Sequence, residues 1–352
     1  MRKYLNKGLL YEWFTASKVP ILIGLITWGF IAHEILARYI RITRTTIGEA
    51  ESNNFNAADL GEYFILGFMF LAIYLFASGI SKKNTTMFLC SGPFTKKQIK
   101  INELICLMIT LGLFIITYIY IAVTLYVKNN ELISIINGYH EIILIEVIRL
   151  LLFGTIGILL MIEIDLLFSN SIIAYFGMIA LGAATIPILF KSRGVLTYIG
   201  HGRYSSVMDK IFGNVIYGKS KHLSILFYGG DFHSDDLGII FKGIIFLIII
   251  IGIMLSIFNV LEKRAKLEIV SKIFSCKANE NMIVFYLSLG VGAFVNMVFT
   301  EIILNRMLYK TGRSLLFLIS NSMEMLVIDV VSIGIITFIS YKLIKKILKV
   351  VG

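Results

Sequence analysis

The feature that most restricts this 352-residue chain is a series of eight apolar runs, each near the roughly 20 residues an α-helix needs to cross ~30 Å of hydrocarbon. They lie at Val19–Ala37, Tyr63–Ile80, Leu104–Val127, Ile143–Phe168, Ser171–Phe190, Ile239–Phe258, Ile283–Leu304 and Met323–Tyr341. A water-soluble core has no room for so much apolar surface: 57% of residues are hydrophobic and 16% charged, against roughly 25% charged in soluble domains. Lipid offers the backbone no hydrogen bonds, so a spanning segment must be a helix or a strand of a closed barrel. Barrel strands read as shorter segments of strict apolar and polar alternation, which these runs lack. The expected fold is all-α, a polytopic integral membrane protein with about eight transmembrane helices. The charged stretch 259–281 separates six spans from two. That predicts a six-helix core over 19–258 and a C-terminal helical pair over 282–352.

Orientation follows from the basic residues beside the spans. With the N-terminus inside, the inner segments (1–18, 81–103, 259–281 and 342–352) hold 18 of the 33 Lys and Arg residues. The outer segments (38–62, 128–142, 191–238 and 305–322) are longer in total and hold 13. Positive charge concentrates in cytoplasmic loops, so both termini are expected in the cytoplasm. The first run begins after residues 1–18 with no small-residue cleavage pattern behind it, and is expected to be a retained helix. A net charge of +11 alone would fit nucleic acid, but the bases flank the spans, where anionic lipid head groups are the simpler partner. No nucleic-acid binding is expected.

Candidate sites are few. The first 18 residues set Leu5, Leu9, Leu10 and Trp13 on one arc, with Lys3, Lys7 and Lys18 on the adjoining arc, the pattern of an interfacial amphipathic helix. In the 81–103 loop, Gly92 and Pro93 break the preceding structure, and Thr95 with Gln98 fits a capping box. A short helix carrying Lys96, Lys97 and Lys100 is expected to start there, parallel to the membrane, where it would transmit force from a soluble partner. The plainer alternative is a capped start to the third span. After the sixth span, Leu261 to Glu268 carries charge on most helix faces and is expected to project into water or against a protein.

Within the fourth span, Glu146 and Arg149 share a helix face and can pair, while Glu163 and Asp165 approach its inner end. Charges in a span face a cavity or a neighbouring helix, so these four are candidate translocation-path or gate residues. Near the outer interface, Glu146 and Arg149 would instead lock helices together. Glu301, Glu324 and Asp329 admit the same two readings. In the fifth span, Gly177, Ala180 and Ala184 favour close helix packing and Pro187 a kink.

Other motifs carry less. Gly213 to Ser220 fits the P-loop pattern, but a loop of this size cannot supply the parallel sheet that a nucleotide site requires. Asp231, His233, Asp235, Asp236, His201 and His222 follow no zinc spacing and read as a solvated acidic loop, so no metal is expected. Cys90, Cys106 and Cys276 form no disulfide framework. No nucleophile and base, or set of metal ligands, gathers at one depth in the bilayer, so no catalytic residue is expected.

Taken together, the amphipathic start ending near Trp13, the Gly92 to Lys97 loop and the Glu262–Lys263–Arg264 to Glu268 run resemble permease subunits of bacterial ATP-binding-cassette (ABC) exporters of the type V, or drug-and-peptide, class. The resemblance covers most of the chain, residues 1–270 above all. It implies that the 81–103 loop docks on a cytoplasmic ABC ATPase through Phe94, Thr95, Lys96, Lys97, Gln98 and Lys100. Further cytoplasmic contacts would fall on Trp13, Glu262, Arg264 and Glu268, with residues 1–18 as the connecting helix. ATP and magnesium would be held by two ATPase copies, with no cofactor in this chain. A second permease copy, a homodimer, would complete the path in a bacterial plasma membrane. The long outer loop is most similar to exporters of membrane-active peptides such as phenol-soluble modulins. The alternative from another class is an ion-gradient-driven secondary transporter or channel using the intramembrane Glu, Arg and Asp residues.

Overall fold

The computed structural model describes residues 6–46, 55–78, 88–168, 171–199, 226, 230–231, 237–264, 273–311 and 322–351. In chain order they form α1 (Lys7–Thr46), β1 (Asn56–Ala57), a 3₁₀ turn (Leu60–Tyr63), α2 (Phe64–Ser78), α3 (Lys96–Lys128), α4 (Asn130–Ile133), α5 (Tyr139–Leu167), α6 (Ser171–Ile199), β2 (Gly230–Asp231), α7 (Leu237–Arg264), α8 (Lys277–Thr311) and α9 (Ser322–Val351). Eight of the described helices are long and apolar enough to cross a membrane, and each overlaps one of the eight expected spans. The protein is an all-α polytopic membrane protein.

The helix starts differ from expectation in two places, for one reason. Residues 7–18 are not a separate interfacial helix but the first turns of a single 40-residue α1, with Pro20 inside it. Leu9, Trp13, Ser17, Ile21, Trp28, Ala32 and Leu36 are all buried, at steps of one or two turns, so one stripe continues through the polar beginning into the apolar run. Likewise α3 begins at Lys96 and runs without a break to Lys128. The short separate helix expected in the loop is the capped start of the third span.

Contacts divide the chain into two units, Met1–Glu163 with Lys221–Lys263, and Ile164–Ser220 with Arg264–Gly352. The second gathers the fifth span with the last two, rather than leaving the last two as a pair beside six. In the first unit, α1 packs on α2 and α3 around Trp28, which is fully buried. Its indole N–H donates to the Phe114 carbonyl at 3.0 Å, and its ring stacks on Phe114 and Tyr118. That carbonyl belongs to α3, so the bond ties two spans at mid-depth.

In the second unit, α6, α8 and α9 meet pairwise through small and polar residues, which are what draw helices together where lipid removes the hydrophobic difference. Gly290 of α8 abuts Ala184 of α6, where an added Cβ would stand 2.5 Å from the alanine Cβ and 2.8 Å from its Cα. Gly292 similarly faces Thr337 and Ile333 of α9. A polar link joins each helix pair: Thr185 and Tyr286 hydroxyls at 2.8 Å, Asn296 Nδ2 donating to Ser332 Oγ at 2.5 Å, and Lys191 Nζ to Asp329 Oδ2 at 3.1 Å. Asp329 is fully buried and joins α9 to α6 through Lys191. Before α8, the Ser275 N–H donates to the Leu167 carbonyl at the end of α5, and Phe168 packs on Phe274.

Gly290→Ala should therefore cost about 1–3 kcal/mol through forced separation of α6 and α8. Gly157→Ala, where an added Cβ meets nothing within 4 Å, should change stability by less than about 1 kcal/mol. Thermal unfolding of the two variants in detergent, read by circular dichroism, checks the contrast.

Candidate functional site

At the end of the first unit where α1 begins, three chain segments meet. A helical turn at 88–91 closes with Ser91 Oγ donating to the Phe88 carbonyl at 2.7 Å, and the Gly92 N–H donates to the Leu89 carbonyl at 3.3 Å. Pro93 and Phe94 follow, and Thr95 opens α3 with both halves of the expected capping box. Thr95 Oγ1 accepts from the Gln98 N–H at 3.3 Å, and Gln98 Oε1 accepts from the Thr95 N–H at 2.9 Å. Lys96 Nζ reaches the Glu262 carbonyl at 3.0 Å, which ties the loop to the end of α7. The Asn6 N–H donates to Asn102 Oδ1 at 3.2 Å, which ties in the start of α1.

The same geometry sorts the residues assigned to this end. Phe88, Ser91, Gly92, Pro93 and Thr95 are exposed, while Phe94, Lys96, Lys97 and Gln98 are half-buried. Lys100 turns inward to Glu103 Oε2 at 3.0 Å, an acceptor also reached by the Tyr74 hydroxyl at 3.4 Å. Trp13 and Glu262 are buried as well, so these three side chains pack within their own bundle. Arg264 ends α7, and Glu268 lies outside the described residues. Burial pushes the half-buried Cys90 thiol up, partly offset by the Lys96 charge.

A second cluster sits at the opposite end of the first unit, centred on α5. Arg149 is fully buried, and its guanidinium spans two loops. Nε donates to the Leu226 carbonyl at 3.1 Å, and Nη1 to the Ala58 carbonyl at 2.7 Å and to Glu146 Oε1 at 3.2 Å. Nη2 is buried without an acceptor, so the fork works through two of its three nitrogens. Glu146 completes the ring: Oε1 accepts the Ala58 N–H at 2.6 Å, and Oε2 accepts the Tyr63 and Tyr118 hydroxyls. The Tyr63 ring lies under the guanidinium at 5.8 Å. The two clamped loops also pair directly, Asn56 with Asp231 and Ala57 with Gly230, antiparallel. Gly138 (φ 83°) turns the chain into α5, and the Asn137 carbonyl accepts the Phe55 N–H at 3.0 Å.

An ion pair at membrane depth survives only when its remaining donors and acceptors are met, because desolvating two charges costs several kcal/mol each. Here the loop backbone and two tyrosines supply those partners. The spacing of three between Glu146 and Arg149 revealed the pair in sequence, and the locking reading fits its placement. Tyr63, Tyr118, Ala58 and Leu226 carried no signal, since nothing in sequence relates positions that distant.

Glu163 and Asp165 lie far from this cluster, as the rise of α5 puts Glu163 about 25 Å from Glu146. Both are buried, and Glu163 Oε1 has no hydrogen-bond partner. Glu324 is exposed. Among the described residues no group of three His, Cys, Asp or Glu could hold a metal. The P-loop-like stretch 213–220 and His201, His222, His233, Asp235 and Asp236 lie outside the described residues.

The fold and these two clusters define a multi-pass α-helical membrane protein. No family model, no curated protein and no solved structure matches the chain.

Replacing Arg149 by Ala should destabilise the first unit by about 3–5 kcal/mol, since it leaves the Glu146 charge buried and two loops unclamped. Arg149→Lys should recover less than half of the loss, because one ammonium cannot serve both carbonyls and the carboxylate. Hydrogen exchange checks the cause: amides of 55–63 should exchange faster in both variants, while those of 104–125 in α3 change little.

Proposed function

We propose that this chain is the transmembrane permease subunit of an ATP-driven exporter of the ABC type, in a bacterial plasma membrane, with both termini on the ATPase side. The observation that carries the reading is the convergence of three segments at one end of the first unit. The start of α1, the capped 88–96 loop and the end of α7 join through Asn6 to Asn102 and Lys96 to Glu262. The loop is tied to α7 through Lys96 and leads straight into α3, which Asn102 ties to the start of α1, so a push from a docked protein passes into α1, α3 and α7. A loose loop would absorb it.

In this reading, two permease copies form the path, and two ATPase subunits holding ATP and magnesium grip the exposed loop through Phe94, Thr95, Lys97 and Gln98. Closure of the ATPases shifts the spans between two arrangements, and the cargo's difference in affinity for them sets the direction of export. The cargo class is an amphipathic or hydrophobic molecule, such as a membrane-active peptide. This chain transmits work and hydrolyses nothing.

One observation favours an ion-gradient-driven transporter instead: the buried Glu163 carboxylate oxygen without a partner, in a span, is a place for a proton or cation.

Co-purification with the ATPase encoded beside its gene decides between them. The wild type should retain the ATPase, and Phe94→Ala with Lys97→Glu should lose at least about tenfold of it while keeping its thermal transition, the scale expected when central contacts are removed. Thr95→Ala should weaken retention less, by loosening the cap. A wild type that holds no ATPase overturns the exporter reading, and proton-driven flux abolished by Glu163→Gln would then establish the alternative.

A further inference from the structure

The C-terminal turns of α9 hold a feature that neither cluster uses. This helix has 30 residues, about 45 Å at the α-helical rise, whereas hydrocarbon occupies ~30 Å, or about 20 residues. With the apolar run ending at Tyr341, the remaining turns stand at the level of the lipid head groups. They carry Lys342, Lys345, Lys346 and Lys349, at spacings that put all four within about a quarter of the helix circumference.

Among the described residues none of the four pairs with a carboxylate. Asp329, the acid before them in α9, is already taken by Lys191. Two of the side chains are held in place by rings on the same helix: Lys342 Nζ lies 4.4 Å from the Phe338 ring centre and Lys345 Nζ 5.0 Å from that of Tyr341. Beside the stripe, Leu343 and Ile347 are exposed at 55% and 60%. A partner must therefore offer negative charge and hydrocarbon together, at the depth of the membrane surface.

We infer that the Lys342–Lys345–Lys346–Lys349 stripe is a binding site for anionic phospholipids, with the phosphates on the lysines and the acyl chains along Leu343 and Ile347. The partner is the bilayer's own anionic lipid. An acidic protein surface would not require exposed leucine and isoleucine in register with the apolar span, and free phosphate would leave them in water.

Native mass spectrometry of the purified full-length chain, given equimolar phosphatidylglycerol and phosphatidylcholine, reads the site. The wild type should retain phosphatidylglycerol over phosphatidylcholine by about tenfold or more, the scale of one to two lysines acting near a charged surface. The four-fold Lys→Gln variant should fall to near parity, and the four-fold Lys→Arg variant should keep the preference. If the Gln variant fails to fold, Lys346→Gln with Lys349→Gln, which removes no ring contact, should still lose most of it. A Lys7→Gln, Lys18→Gln, Lys128→Gln control should retain it.

The inference fails if a folded Gln variant keeps its preference or if the control loses as much. It also fails if millimolar inorganic phosphate displaces the lipid, or if the Gln variant keeps the lipid and loses the co-purified ATPase.

Discussion

The structure depends on one constraint: inside hydrocarbon, each backbone N–H and C=O must find its partner within the protein. Helices meet that demand within each segment, which is why runs of about 20 apolar residues became long helices with no further instruction. The constraint also leaves a problem. Apolar side chains gain nothing by touching each other instead of lipid, so helix association falls to close packing and to polar side chains. Trp28 on the Phe114 carbonyl, Gly290 against Ala184 and Lys191 on Asp329 are the contacts through which neighbouring spans recognise each other.

The charged residues answer the same pressure in opposite ways at the two ends of the first unit. Around Arg149, charge is enclosed and its demands met by loop carbonyls and tyrosine hydroxyls, so the loops are held to α5. Around Lys96, charge is half open: the amine donates to the Glu262 carbonyl, while Ser91, Pro93 and Thr95 are exposed. An enclosed cluster resists rearrangement, whereas the open loop is tied to the end of α7 through Lys96.

Several of these details were legible beforehand. The Thr95 and Gln98 spacing announced a capping box, and the three-residue spacing of Glu146 and Arg149 announced an ion pair, because both interactions close within one helical turn. The inward turn of Lys100 was not legible. A lysine that follows Lys96 and Lys97 reads as more of the same charge, and it is Glu103 one turn on, with Tyr74 from α2, that draws it inside. The same holds for Trp13, which an amphipathic plot assigns to a lipid face and which α1's packing stripe buries.

What the sequence determined by itself is the number, type and approximate bounds of the spans, along with the local caps and pairs. These follow from hydropathy and from interactions between residues three or four apart. Tertiary structure alone decided which helices belong together: the fifth span joins the last two, and α1 carries one stripe from polar start to apolar core. The physical reason is that helix partners in lipid are chosen by a few small and polar residues distant in sequence. Their match in depth and direction exists only once the helices stand side by side.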